Sequence, residues 1–494
     1  MGSADNTMTD GGRGLGASMT GLWRRLVRGR EEAREPVPRG EVLPARSWRR
    51  IDDLFKAAAG DYDGEARARE RMGQLLAFYL AAGDDDRRAF LGRLEADYGP
   101  AEVEVRRAIE AYMTAAGSAE RARAEGRLAA SLESPRQRIL RQFNLLPNGV
   151  HALVDLRADL LRLGVDACPG LDQDLLRLFV NWFDAGFLEL QRVGWESPAS
   201  LLEKLIRYEA VHEIKSWSDL RNRLDSDRRC YAFFHGRMPA EPLIFVEVAL
   251  VRDIADKVQT LLDESQPTLD PEAATTAIFY SISNAQAGLR GVSMGEFLIK
   301  RVVQQLLQEF PRLRTFATLS PVPGFNRWLD KRLAEPVYVE RIPVDVRKLL
   351  DGTGKSGVAA VLDCVGAEIS GSQPPSAALQ AWLKAECTYY LAREKSGRHP
   401  LDPVGRFHFS NGASLGRVNW LGDVSARGLR QSCGLMVNYL YKLKDIESNH
   451  QAYAREGTLA LAFDVERQLE AAVEARKEPR AGRAPRARKA RAES

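Results

Sequence analysis

The spacing of apolar residues changes once along this chain, and that change limits it to two kinds of domain in a fixed order. From about Ser47 to about Gly194 the spacing is helical. Leu75, Leu76, Tyr79 and Leu80 share one helix face, and Leu153, Leu156, Leu160, Leu161 and Leu163 form a second stripe. Leu175, Leu176, Leu178, Phe179, Trp182 and Phe183 form a third, broad enough to be core. Asp84, Asp85 and Asp86 precede Phe90, Leu91 and Leu94, where a helix N-terminus favours negative charge. Asn148-Gly149 and Pro169-Gly170 punctuate these runs.

After Arg229 the pattern turns to strands. Cys230–Phe234 and Leu243–Val251 are β-type runs joined by the hairpin connection His235–Pro242. Thr276–Ile282, Arg314–Leu319 and Leu435–Leu440 are further strand candidates, and Phe297–Phe310, Gly324–Leu333 and Ala377–Arg393 read as helices. The prediction is an α+β chain: an all-α helical domain over 49–194, then an α/β domain over 195–473. The Gly/Ser/Pro-rich lead-in 1–48 and the Arg/Ala/Pro-rich tail 474–494 are expected to be disordered.

Composition narrows the function classes. With 45% hydrophobic and 28% charged residues in 494, the chain has ample material for cores, which excludes wholesale disorder and a collagen-like or disulfide-stapled scaffold. The formal charge is +4, but residues 476–494 hold eight basic and two acidic residues, so the tail carries +6 and the rest −2. A near-neutral body gives no footprint for nucleic acid. The five cysteines are widely spaced and read as free thiols, and the six histidines form no HxxxH or HExxH array, so no metal site is expected. No stretch approaches the ~20 apolar residues that span a bilayer, and the first 20 residues lack the apolar core of a secretory signal. A cytoplasmic protein without a membrane partner is expected.

The most informative segment is Thr276–Lys300, which reads as a strand, a Gly-rich turn and a capped helix. Ser293 and Glu296 fit the S-x-x-E capping box before Phe297. Gly288, Gly291 and Gly295 allow close approach to the backbone, and Arg290 adds charge. Free N–H groups at a helix start suit a pyrophosphate, although an ordinary capped turn would look the same. The spacing is not the dinucleotide GxGxxG. Ser320 ends a predicted strand at Ser320-Pro-Val-Pro-Gly324, either as a reactive hydroxyl or as a helix cap. His408 lies among aromatics beside Asn411-Gly412, either as an acid/base or as a core histidine, and His235 competes with it. Cys433 has no nearby base and reads as a buried thiol.

Four longer segments carry a resemblance: FHGRMPAEPLIFVEVAL (Phe234–Leu250), FYSISNAQAGLRGVSMGEFLIKRVV (Phe279–Val303), TLSPVPGF (Thr318–Phe325) and Asp402–Leu443. In these the chain resembles the malonyl-CoA decarboxylase family, from the helical region through about Leu443. The resemblance implies a helical domain followed by a catalytic domain similar to the N-acetyltransferase fold. It implies conversion of malonyl-CoA to acetyl-CoA and carbon dioxide, with no cofactor, neither biotin nor metal. A Ser/His pair maps onto Ser320 and His408, and the CoA-binding loop onto Arg290, Gly291, Val292, Ser293, Met294, Gly295 and Glu296. The tyrosine of the C-terminal N-Y-x-Y motif maps onto Tyr441. Ser293 stands where eukaryotic relatives often hold an acidic residue. The family also implies a homotetramer formed through helical domains. The rival readings are an acyl-CoA N-acyltransferase of the same fold and a non-catalytic CoA-binding protein.

Overall fold

The computed structural model describes residues 45–60, 63–292, 298–474 and 476. The lead-in 1–44, the proposed cap residues Ser293 to Glu296 and most of the basic tail lie outside these. The chain divides into two compact units, one through Phe179 and one from Val180.

The first unit is helical throughout its described elements: α1 (Ala45–Ala59), α2 (Glu65–Ala81), α3 (Asp84–Asp97), α4 (Glu102–Thr114), α5 (Ser118–Ser131), α6 (Pro135–Gln142) and α7 (Gly149–Leu163), followed by α8 (Pro169–Trp182), which runs into the second unit. The three acidic residues predicted to open a helix are the first turn of α3. Leu75, Tyr79, Phe90, Leu94, Leu153, Leu160, Leu175 and Phe179 of the predicted stripes are buried, whereas Leu80 is exposed. Each fully buried side chain of this kind contributes about 1.5–3 kcal/mol. Asp174 is buried among donors, accepting from Ser134 Oγ at 2.8 Å, Arg136 Nε at 2.7 Å and Gln137 Nε2 at 2.6 Å.

The second unit is built on a mixed sheet. Its strands are β1 (Leu188–Val193), β2 (Arg228–His235), β3 (Ile244–Val251), β4 (Thr276–Asn284), β5 (Thr315–Thr318) and β6 (Ser320–Pro321), then the separate hairpin β7 (Lys395–Ser396) and β8 (His399–Pro400), then β9 (Ser414–Asn419) and β10 (Met436–Leu440). The order is β1-β2-β3-β4-β5-β10-β6, with β9 on β10. β1 to β4 are antiparallel neighbours, while β4 and β5 are parallel. The helices that matter to the site are α9 (Ala199–Tyr208), α10 (Trp217–Arg223), α11 (Leu298–Glu309), α12 (Phe325–Leu333), α13 (Ala377–Arg393) and α14 (Pro403–Ser410). Alternation along β2 separates the faces: Ala232 and Phe234 join Leu202, Leu205 and Leu220 of α9 and α10, while Arg301 of α11 lies over the Phe233 ring.

The predicted order, all-α and then α+β, is the observed one, and every strand and helix anticipated after Arg229 is present. β1 lies in a stretch that the sequence pattern assigns to helices. It is an edge strand with only Leu188 and Val193 buried, so it lacks the strict alternation that marks a strand.

The pairing of the two parallel strands ends next to Ser320. β4 and β5 pair from Thr276↔Thr315 to Phe279↔Thr318, and a last bond runs from Leu319 N–H to the Phe279 carbonyl. Beyond it β4 continues to Asn284 without β5, which ends at Thr318, so the parallel pairing stops beside Ser320.

Candidate active site

Ser320, His408 and Tyr441 come from three distant segments, each fixed by local chemistry. Ser320 opens β6 directly after Leu319, and Pro321 and Pro323 stiffen the turn into α12. It caps nothing: the residue before α12 is Gly324 and makes no side-chain cap bond. His408 stands in the last turn of α14. Asp402 caps that helix through Oδ1, which accepts from Gly405 N–H at 2.8 Å, and Pro403 takes the first helical position. Gly412 then turns the chain with φ of 77°, and a Cβ there would lie 2.2 Å from the Ile446 carbonyl oxygen. Tyr441 follows β10, its N–H bonded to the Phe316 carbonyl at 2.9 Å.

Their side chains meet in one line. Ser320 Oγ is 3.0 Å from His408 Nε2, and His408 Nδ1 is 2.8 Å from the Tyr441 hydroxyl. Ser320 also donates to Thr318 Oγ1 at 2.8 Å. The imidazole stacks on Tyr439, with ring centres 4.4 Å apart. His408 is 2% exposed and Ser320 5%. Burial pushes the imidazole pKa down to about 3, so the ring is neutral near pH 7. Burial likewise raises the Tyr441 phenol well above its ordinary value, so it stays protonated. A neutral imidazole between two hydroxyl groups can donate or accept hydrogen bonds without carrying net charge.

The other predicted residues divide. Arg290, Gly291 and Val292 follow a short 3₁₀ turn at the end of β4, and Gly291 takes φ of 84°, a conformation that favours glycine. Ser293, Met294, Gly295 and Glu296 lie outside the described residues. His235 is occupied elsewhere: its Nδ1 accepts from Arg237 N–H at 3.2 Å and its ring packs on Phe183. Cys433 is buried with its thiol pushed up to about 12 by burial, and its Sγ contacts Asn326 Oδ1. Among the described residues no three His, Cys, Asp or Glu side chains converge as a metal site. No described helix is long and apolar enough to cross a membrane. A cavity of about 1040 Å³ between α13, β9 and the helix Phe463–Glu474 includes none of the Ser–His–Tyr group in its lining.

The sequence pattern assigns no role to Thr318, Asn438 or Tyr439 beyond their place in the segments that carry the resemblance. The signal for Thr318 was available, because residues two apart on a strand share a face and Thr318 and Ser320 are so spaced.

A helical unit ahead of a mixed α/β unit, with a buried hydroxyl–imidazole–phenol line in the second, is the arrangement that the fold presents. Family models match both parts of the chain. The malonyl-CoA decarboxylase C-terminal domain matches residues 186–479, and the N-terminal domain of the same name matches 98–183. A crystal structure of malonyl-CoA decarboxylase from Rhodopseudomonas palustris is 42% identical, with a TM-score of 0.75, covering 85% of this chain and 99% of that one. The Agrobacterium vitis structure is 40% identical with the same TM-score and coverage. The mitochondrial malonyl-CoA decarboxylase of Mus musculus is 36% identical over 480 residues, 89% of this chain and 95% of that protein. The chain belongs to the malonyl-CoA decarboxylase family and is, as a member, a carboxy-lyase.

Proposed function

We propose that this protein converts malonyl-CoA to acetyl-CoA and carbon dioxide at Ser320 and His408. The observation that carries the reading is the 3.0 Å contact between these two buried side chains, one just past the end of β5 and the other in the last turn of α14. Cleavage of the malonyl carbon–carboxylate bond leaves its electron pair on the thioester as an enolate, with charge on oxygen. A preorganised donor in a dry site stabilises that charge, and poor solvation of the carboxylate favours its loss. His408 donates a hydrogen bond toward the thioester oxygen. Ser320 orients the carboxylate and takes part in passing a proton, drawn finally from solvent, to the new methyl carbon. Tyr441 backs the imidazole. The segment Arg290, Gly291, Val292, Ser293, Met294, Gly295 and Glu296 binds the CoA phosphates. The reaction needs no metal or biotin, the helical unit assembles a homotetramer, and the protein works in the cytoplasm.

Purified protein incubated with malonyl-CoA alone, with chelator present, should release carbon dioxide and acetyl-CoA. Formation of a malonyl amide with release of free CoA, only when an amine acceptor is added, would favour an N-acyltransferase, and CoA binding without turnover would favour a binding protein. Loss of activity on chelation would overturn the metal-free mechanism.

A further inference from the structure

We infer that Thr318 is a positioning residue that sets the direction of the hydrogen-bond line through Ser320 and His408, and with it the tautomer of the imidazole. The inference rests on the Ser320–His408 reading above.

Thr318 is fully buried and held at both ends. Main-chain pairing of β10 passes from Leu440↔Ala317 to Val437↔Ser320, so Asn438 and Tyr439 face Thr318 and Leu319 without ladder pairing. Side chains bridge that gap. Asn438 Nδ2 donates to the Thr318 carbonyl at 2.7 Å, and Tyr439 N–H donates to Thr318 Oγ1 at 3.1 Å. Asn438 is itself steadied by Asn419 Nδ2, which donates to its Oδ1 at 2.8 Å. Thr318 Oγ1 is therefore a fixed acceptor.

Ser320 gives its proton to that acceptor at 2.8 Å. A serine hydroxyl has one proton, so the 3.0 Å contact with His408 is made by an imidazole N–H donating to Ser320 Oγ. The neutral ring then carries its proton on Nε2. Nδ1 is left with its lone pair and accepts from the Tyr441 hydroxyl at 2.8 Å. The line runs from Tyr441 to His408, from His408 to Ser320 and from Ser320 to Thr318. The imidazole thus presents its N–H, not its lone pair, on the side of Ser320, as a donor to a developing enolate oxygen requires.

The test begins with the wild-type protein. With histidine ¹⁵N-labelled and the His408 signals assigned by their loss in His408→Asn, the shifts at pH 7 should report Nε2–H. A ring protonated on Nδ1 overturns the proposal. In Thr318→Val the freed Ser320 proton turns to His408, so the signature should move to Nδ1–H. There kcat should fall roughly 10-fold to 100-fold with little change in KM, less than the ~10²–10⁴-fold cost of losing an acid/base group outright. Thr318→Ser, which keeps the hydroxyl, should restore both signature and rate. In a Ser320→Ala background Thr318→Val should cost almost nothing more, because it acts through Ser320. A folded Thr318→Val variant with wild-type kcat and signature sinks the role of Thr318 alone. Full activity in Ser320→Ala and His408→Asn would instead sink the reading of the site.

Discussion

At the residue scale, the buried state of His408 has consequences in both stability and rate. Its pKa in the folded protein is lowered to about 3, against an ordinary value of 6.5. Between those values the unfolded chain binds the extra proton, so stability contributed by the neutral ring is complete above about pH 6.5 and drains away as pH falls toward 3. Wild-type protein should therefore lose thermal stability relative to His408→Asn as pH drops from about 7 to 4. Equal slopes would place the imidazole in water. In kcat/KM, which reports the free enzyme, no acid limb near pH 6.5 should arise from His408. Ser320 and His408 also act on each other. His408→Asn and Ser320→Ala should each cost ~10²–10⁴-fold in turnover, and the double variant little more than the worse single one. Melting and single-turnover measurements on the same preparations check this. A drop in melting temperature with normal turnover per folded molecule would make both residues structural. The sequence displayed each of these side chains in a telling setting, but not their meeting. They are 88 positions apart, and no local spacing encodes a contact at that separation. Their pairing was legible only through the resemblance of TLSPVPGF and the Asp402–Leu443 segment.

At the scale of elements, α14 holds His408 in its last turn, and the 3₁₀ turn after β4 leads into the proposed phosphate segment. The Asp402 carboxyl is fully buried, and burial pushes its pKa up to about 6, opposed by the peptide N–H groups of Gly405, Val404 and Gly324. A carboxyl raised in the folded state binds its proton more readily there than when unfolded. Its ionisation thus weakens the fold as pH rises from about 4 to 6 and beyond. Asp402→Asn keeps a good cap without that charge. The stability of wild type relative to Asp402→Asn should rise by about 2 kcal/mol when pH is lowered from 7 to 4, as two-unit shifts imply. A pH-independent difference in melting would show the carboxyl to be solvated. Gly291, at φ of 84°, is the described residue of the proposed phosphate turn where a side chain is least tolerable. Gly291→Val should raise KM for malonyl-CoA and leave the fold intact, and unchanged CoA affinity in the folded variant would remove the turn from the binding site. β3 was readable as a largely apolar, β-branched run, buried from Ile244 to Leu250 on both faces. β9 was not, since its cover comes from α13 and the helix Phe463–Glu474, far away in sequence.

At the scale of the whole molecule, the basic C-terminal run looks like one solvated tail in the sequence, but its first arginine belongs to the folded unit. Arg476 pairs with Glu386 of α13, and its guanidinium lies 3.8 Å from the centre of the Tyr389 ring. Its carbonyl accepts from Arg341 Nη1 at 2.6 Å. The Glu386 side chain is only 7% exposed, and burial raises its pKa even with Arg476 beside it. Removing the arginine leaves that carboxyl buried without its cation, a change that costs about 3–5 kcal/mol for fully buried pairs. Arg476 is itself partly exposed at 14%, so about 1–3 kcal/mol is the better expectation here. Two truncations separate the roles. Ending the chain after Arg476 removes the charge run alone and should leave both melting temperature and decarboxylation unchanged. Ending it after Glu474 should lower the melting temperature while turnover per folded molecule stays near normal, because no residue of the Ser320–His408–Tyr441 line touches this pair. Glu386→Gln in the shorter chain should recover part of the loss, since a neutral amide needs no counter-charge. Equal stability of the two truncated proteins would place Arg476 with the tail, and loss of activity in the longer one would give the charge run a catalytic or assembly role.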